Sequence, residues 1–168
     1  METVQSLQQT TDVVQEDTGN DPVLQWVTFH LGDEKYGVNV MQVQEVLRVS
    51  EIAPVPGAPS YVLGIINLRG NVVTVVDTRS RFGMVPKELE DASRILIIES
   101  GDQEVGLLVD CVSEVVYLRA SEVEVTPNVG NEENSRFIQG VSNREDDLLI
   151  LVDLNKLLND DDSGGFGF

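Results

Sequence analysis

The chain has 168 residues, of which 41% are hydrophobic and 24% charged, as expected for one ordinary globular domain or two very small ones. Its 29 acidic and 11 basic residues give a net charge of -18. A chain of this sign repels polyanions, so nucleic acids and anionic membrane surfaces are excluded as partners. The single cysteine, Cys111, excludes an internal disulfide framework.

The N-terminal segment, residues 1–24, is polar and has no hydrophobic period, which predicts a disordered arm. It lacks the positively charged start and the apolar core of a secretory signal. The chain also lacks an apolar run of the roughly 18 residues that a membrane-spanning helix requires. We therefore expect a cytoplasmic protein that does not insert into the membrane.

Short β-type runs follow in series from residue 26 onward. Residues 26–31 and 36–38 flank a polar Gly-Asp turn and predict a β-hairpin, and residues 41–47 predict a helical turn or two. A proline-rich connector then leads to two apolar strands at 61–67 and 72–77. The same series returns as a hairpin, two strands and a terminal helix at 95–98, 105–109, 137–141, 148–153 and 154–158. Residues 159–168 predict a flexible tail.

This recurrence is an internal repeat with two constant offsets. Gly32 is followed 69 residues later by Gly101, whereas Gly64 is followed 76 residues later by Gly140. The difference of seven residues fits an insertion in the polar stretch 127–134, which reads as a turn. The sequence therefore predicts two structurally equivalent halves.

Each half contains four to five short strands separated by glycine and proline, which favours a small β-barrel because closure removes exposed strand edges. One barrel of about 65 residues has little interior, so we expect the two barrels to share a core. The first barrel is predicted over about 25–90 and the second over about 91–158. An exchange of terminal segments between them is left open.

Two repeated aspartates are the strongest candidates for chemistry. Asp77 and Asp153 follow equivalent buried strands, and a small hydrolase would need their carboxylates to converge. Because each lies at the same place in its own half, a helix-capping role is the favoured interpretation. The run at residues 160–162 could serve a metal-responsive binding module, but a solvated charge run is favoured.

The only histidine and the only cysteine each have an ordinary structural interpretation. His30 lies within a predicted strand and has no second landmark for a catalytic dyad. Cys111 follows an apolar stretch without a base nearby in sequence, which predicts a buried and unreactive thiol.

The turn between the two apolar strands of the first half carries a residue that breaks the repeat. Arg69 lies in the motif Asn-Leu-Arg-Gly, and the equivalent position in the second half is Glu145. A charged turn residue that departs from the internal symmetry is a candidate functional residue.

Ordered motifs between residues 26 and 158 resemble the CheW family of bacterial chemotaxis coupling proteins. They are GDEKYGV at 32–38, VQEV at 43–46, GIINLRG at 64–70, VVD at 75–77, GLLVDCVSEV at 106–115 and ILVD at 150–153. The resemblance implies a mostly β fold of two small five-stranded, SH3-like barrels around a shared hydrophobic core, with short helices. It also implies a non-enzymatic adaptor without cofactor that links the cytoplasmic tips of methyl-accepting chemoreceptors to the histidine kinase CheA.

The resemblance further implies two binding surfaces. The residues expected to line or support the receptor-facing groove are Val43, Glu45, Arg69, Ile95 and Val115. Glu45 and Arg69 carry opposite charges and are expected to pair and fix that surface. The residues expected to contact the kinase are Ile52 and Val55. The protein would be a monomer alone and would reach the inner face of the membrane through receptor arrays. A related adaptor that serves another motility or receptor system is the alternative.

Overall fold

The structure is a computed structural model that describes residues 21–125, 137–144 and 147–158. The predicted tail with its aspartate run, and the predicted arm apart from residues 21–24, lie outside these ranges. The described strands are β1 Val23–Leu31, β2 Glu34–Asn39, β3 Val43–Arg48, β4 Val62–Leu68, β5 Asn71–Asp77, β6 Arg94–Ser100, β7 Gln103–Val109, β8 Cys111–Arg119, β9 Ile138–Arg144 and β10 Asp147–Val152. Helix α1 spans Thr78–Arg81, helix α2 spans Leu154–Leu158, and one-turn 3-10 helices lie at Val40–Gln42 and Ala120–Glu122.

The strands form two five-stranded sheets. Sheet I has the order β3-β6-β7-β5-β4, and sheet II has the order β8-β1-β2-β10-β9. One parallel pair lies in each sheet, β5 with β7 and β2 with β10, and the other pairs are antiparallel. The predicted mostly β fold with two five-stranded subdomains is confirmed.

The two sheets have equivalent topologies. Strands β1 to β3 correspond to β6 to β8, and β4, β5 and α1 correspond to β9, β10 and α2, at the offsets found in the sequence. Under this correspondence the two strand orders are identical. The internal repeat is therefore confirmed.

The hairpins, however, are exchanged between the halves. Hairpin β1–β2 pairs through β2 with β10, and hairpin β6–β7 pairs through β7 with β5. A boundary near residue 90 consequently does not separate the sheets, because each sheet is built from both halves of the chain. Residues 43–47, for which a helical turn was expected, form most of β3 instead, since they pair along β6.

Each sheet closes toward a barrel through a single bridge and not through a continuous ladder. Ala53 bridges Ile65 of β4 with N–O distances of 2.9 and 2.8 Å, and Glu124 bridges Val141 of β9 with 2.8 and 2.9 Å. A Cβ atom on Gly64 would lie 2.1 Å from the Ala53 carbonyl oxygen, so only glycine permits this approach. The repeated glycines therefore mark the two points of closure.

The main hydrophobic core lies between the sheets. It combines fully buried side chains of sheet II, such as Phe29 and Val38, with those of sheet I, such as Leu96 and Leu107. Smaller clusters lie within each sheet, around Ile97 in sheet I and around Trp26 and Leu151 in sheet II. The predicted shared core is confirmed.

A charged cluster fixes the point where the chain passes from β7 to β8. The Arg79 Nε and Nη2 atoms donate to the two carboxylate oxygens of Asp110 at 2.9 and 2.6 Å, and the Gly32 amide donates to Asp110 at 2.8 Å. Both charged side chains are only 14% exposed. Hydrogen bonding from Arg79 is the main cause that lowers the pKa of Asp110, with further lowering by the Gly32 amide. The cluster ties the β1–β2 turn of sheet II to helix α1, which follows sheet I.

Candidate functional site

The β4–β5 turn presents Arg69 in an unusual backbone conformation. Leu68 pairs with Asn71, so Arg69 and Gly70 form a two-residue turn with φ values of 51° and 88°. A turn with two positive φ values matches the twist of a hairpin and usually contains Asn-Gly. An arginine in this left-handed region is strained, and strained residues concentrate at functional sites.

Arg69 forms an ion pair with Glu45 of strand β3, which lies at the opposite edge of the sheet I strand order from β4. Its Nη1 atom lies 3.4 Å from Glu45 Oε1, and its Nη2 atom contacts Glu45 Oε2. The Arg69 side chain is 69% exposed. The hydrogen bond to Glu45 raises the pKa of Arg69, because a nearby carboxylate favours the charged guanidinium. The expected pairing of the two residues is confirmed.

The ion pair forms one wall of a shallow cavity of about 390 Å³. Its lining consists of Met41, Val43, Gln44, Glu45 and Arg69. Met41 is 66% exposed although it is a large apolar side chain. Three of the five predicted receptor-facing residues therefore meet at one apolar and charged depression.

The other two predicted receptor-facing residues lie elsewhere. Ile95 is completely buried inside sheet I, where it packs with Val75 and Ile97. Val115 lies half-buried on β8 of sheet II and packs against the shared core, to which Val43 also belongs. Ile95 can support the site only from within, since no surface of it reaches solvent.

A second cavity of about 540 Å³ lies between the proline-rich connector and the β4–β5 hairpin. It is lined by Glu51, Ile52, Ala53, Pro54, Ile65, Ile66, Asn67 and Val72. Val72 is 68% exposed and therefore offers an apolar side chain to a partner. Ile52 lines this cavity, whereas Val55 is half-buried in the connector and is not part of the lining.

Sequence reasoning did not single out Met41, Val72 or Glu114. Met41 and Val72 are ordinary apolar residues in sequence, and only the fold shows that they are exposed. Glu114 is the repeat equivalent of Glu45 and, like Glu45, forms an ion pair with a basic side chain. Lys35 Nζ donates to Glu114 Oε2 at 2.9 Å. The repeat offset was the signal that could have identified it.

The two repeated aspartates cap helices. Asp77 accepts hydrogen bonds from the Arg79 amide at 3.2 Å and from the Ser80 hydroxyl at 3.0 Å, at the start of α1. Asp153 accepts one from the Lys156 amide at 3.2 Å, at the start of α2. The capping interpretation is confirmed, and nothing here favours the hydrolase that would pair them.

Cys111 is only partly buried, so the prediction of a buried thiol is wrong. Its Sγ atom lies 3.7 Å from His30 Nδ1, because β1 and β8 are paired in register at these residues. The two residues are 81 positions apart, so no local sequence signal indicates their contact.

Within the described ranges, no three His, Cys, Asp or Glu side chains are grouped as a metal ion would require. None of the helices in the described part of the chain has the length and apolar character needed to span a membrane. The Asp160–Asp162 run lies outside the described residues.

Comparison with known proteins supports one family throughout. The family model of the CheW-like domain matches residues 25–162. The chain is 33% identical to the chemotaxis protein CheW of Treponema pallidum, over 83% of this chain and 85% of that protein. It is 35% identical to the chemotaxis protein CheW of Rhizobium meliloti, over 78% of this chain and 84% of that protein.

A solved structure agrees with these sequence relationships. The crystal structure of the scaffolding protein TtCheW from Thermoanaerobacter tengcongensis superimposes with a TM-score of 0.75 at 34% identity, covering 81% of this chain and 92% of that chain. The shared core, the ordered sequence motifs and nearly all of the two equivalent five-stranded sheets lie inside the matched region. The chain therefore belongs to the CheW family.

Proposed function

We propose that this protein is a non-catalytic adaptor that couples the cytoplasmic tips of methyl-accepting chemoreceptors to the histidine kinase CheA in chemotaxis arrays. The observation that carries the proposal is the exposed Arg69–Glu45 ion pair, held on a strained turn at the rim of a cavity. An adaptor requires surfaces that stay in place and not groups that react. A guanidinium in a fixed turn supplies directional donors at such a surface.

The receptor-facing surface centres on the cavity beside β3. Glu45 and Arg69 form its charged rim, and Val43 forms its apolar floor together with the exposed Met41. Such a combination of an apolar centre and a charged rim suits an amphipathic helical segment of a receptor. Val115 extends the surface onto sheet II, and Ile95 supports it from the core of sheet I.

The kinase-facing surface is the cavity between the connector and the β4–β5 hairpin. Its apolar lining includes Ile52 and Pro54, and Val72 lies exposed at its edge. Val55 follows two residues after Ala53, which bridges β4, so it flanks the cavity from the connector. A cavity with this lining fits an apolar side chain from the regulatory domain of the kinase.

The protein would act in the cytoplasm as a monomer that joins a larger array only through its partners. Recruitment to the inner face of the membrane would follow from receptor binding. A related adaptor for another receptor system would present the same two surfaces, and the identity of the captured partners distinguishes the two cases.

The function is tested by reconstitution with purified partners. The full chain is mixed with a CheA kinase and a receptor cytoplasmic fragment from the same cell. We expect a ternary complex by size-exclusion chromatography and receptor-dependent stimulation of kinase autophosphorylation. Identification of the kinase and receptors that the chain captures from native extract then tells which system it serves. Failure to bind either partner would refute the adaptor function.

Replacing Arg69 with alanine should abolish coupling without destabilising the fold. The side chain is exposed and its ion pair contributes little to stability, whereas loss of its directional donors at the proposed interface weakens binding. We expect an unchanged melting temperature and receptor-dependent kinase stimulation reduced at least about tenfold. Stimulation at the wild-type level in Arg69→Ala would contradict this role.

Two further variants separate the turn from the charge. Arg69→Asn creates the Asn-Gly pair that this turn type prefers, so its melting temperature should be equal or higher while coupling is still lost. The double variant Glu45→Arg, Arg69→Glu reverses the pair. Recovery of coupling in the double variant shows that the two residues act on each other, and continued loss shows that each contacts a partner.

A further inference from the structure

Strand β8 contains a bulge opposite Thr28 of β1. Val27 pairs with Val115 and Phe29 pairs with Val112, so a step of two residues on β1 faces a step of three residues on β8. A bulge leaves the backbone groups of its extra residue without partners in the ladder. Such groups are satisfied instead by a side chain or by water.

The Thr28 hydroxyl is the hydrogen-bond partner of both backbone groups of Glu114, the residue in the bulge. Its Oγ1 donates to the Glu114 carbonyl oxygen at 2.7 Å and accepts from the Glu114 amide at 3.0 Å. Thr28 has no exposed surface, so no water competes for its hydroxyl. A single side chain thus replaces the missing ladder contacts of Glu114.

This bulge determines where the outer side chains of β8 point. Glu114 carries its carboxylate to within 2.9 Å of Lys35 Nζ, which also lies 3.4 Å from Asp147 Oδ2. Glu114 is 59% exposed, whereas Lys35 is 13% exposed. The next residue, Val115, faces the shared core at the proposed receptor surface.

The internal repeat provides a comparison. Strand β3 also has a register shift, between Val43 and Glu45, and Glu45 is the repeat equivalent of Glu114. The equivalent of Thr28 is Ile97, which pairs with Glu45 and has no hydroxyl. The side-chain lock, which is the pair of hydrogen bonds between the Thr28 hydroxyl and the Glu114 backbone, therefore occurs on sheet II, where Glu114 pairs with Lys35.

We propose that Thr28 is a positioning residue for the receptor-facing surface. Its hydroxyl holds the bulge of β8. The bulge in turn keeps Glu114 paired with Lys35 and keeps Val115 packed at the edge of the shared core. The role in binding rests on the proposed function. Thr28 does not contact the receptor itself, because it is completely buried.

The lock is tested first without any partner. Thr28→Val keeps the shape of the side chain but removes the hydroxyl, whereas Thr28→Ser keeps the hydroxyl. Hydrogen exchange of the full chain should show at least about tenfold faster exchange at the Glu114 amide in Thr28→Val than in Thr28→Ser. Equal protection of that amide in the two variants would overturn the lock.

The positioning role is tested by comparing the two partners. Thr28→Val should weaken binding of the receptor fragment about tenfold and leave kinase binding unchanged, and Thr28→Ser should restore receptor binding. Thr74→Val makes the same chemical change on β5 of sheet I and should leave both affinities unchanged. If Thr28→Val weakens receptor binding and kinase binding equally, the cause is a general loss of structure. If receptor binding is unchanged in Thr28→Val, Thr28 has no positioning role. Either result overturns the proposal.

These outcomes are distinct from failure of the proposed function. If the wild-type chain binds neither receptor nor kinase, the adaptor function fails and the positioning role fails with it. If wild type binds both and Thr28→Val binds the receptor equally well, only the positioning role fails.

Discussion

Gly64→Ala should destabilise the protein by more than about 3 kcal/mol, because two penalties act at one position. The backbone at Gly64 has φ 155°, a conformation that side chains with a Cβ atom rarely adopt. The new Cβ would also lie 2.1 Å from the Ala53 carbonyl oxygen, so the bridge between Ala53 and Ile65 must open. Opening it releases the connector that forms one wall of the proposed kinase surface.

The change is measured as the free energy of unfolding by chemical denaturation. Gly57→Ala is the matched control, because Gly57 also has a positive φ of 82° but has no atom within 4 Å of the added Cβ. We expect the control to cost about 1 kcal/mol, from backbone strain alone. Equal losses in the two variants would show that closure by the bridge contributes nothing to stability.

Asp110→Asn should be the second most damaging change, with a loss of about 2–3 kcal/mol at neutral pH. The substitution leaves the Arg79 guanidinium without its carboxylate partner at a site where both side chains are only 14% exposed. It also weakens the acceptor for the Gly32 amide. The two sheets would then lose a polar connection at the β7–β8 crossing.

The pH dependence follows from the lowered pKa of Asp110. A folded-state pKa below the unfolded value of about 3.9 means that the carboxylate stabilises the fold above that pH. This contribution is lost as the pH falls through the folded-state pKa. The difference in unfolding free energy between wild type and Asp110→Asn should therefore be full at pH 7 and shrink below about pH 4.

Denaturation curves at several pH values measure this difference. Asp102→Asn is the control, because Asp102 is an exposed residue in the turn of the equivalent hairpin. We expect it to leave stability almost unchanged at every pH. A difference for Asp110→Asn that is as large at pH 3 as at pH 7 would argue against the ion pair as its cause.

Local sequence signals determined the repeat and most of the secondary structure, with the exception of β3. Residues 72–77 were expected as a strand and form β5 over Asn71–Asp77, since an unbroken β-branched run favours an extended backbone. Asp77 was expected to cap a helix, and it does so because a carboxylate can accept from a helix N-terminal amide within a few residues. The resemblance to the CheW family was also visible in the sequence, because each of its motifs is a short contiguous stretch of residues.

The sequence also indicated the charged pair of the candidate site. Arg69 stood out because it breaks the repeat, and its expected partner Glu45 is the one found. The family resemblance assigned both residues to one receptor-facing groove, and opposite charges at one surface attract each other. The same reasoning could not show that Ile95 is fully buried, because an apolar run of four residues does not reveal which side faces solvent.

Only the tertiary structure decided which strands pair. The exchange of hairpins joins β2 to β10 and β7 to β5, and the alternation of apolar residues along a strand carries no information about a distant partner. The same non-local pairing brings Cys111 to His30, Asp110 to Arg79 and the Thr28 hydroxyl to the bulge of β8. These contacts span 31 to 86 residues of chain, so they follow from the packing of the two halves around one core and not from the residues that flank them in sequence.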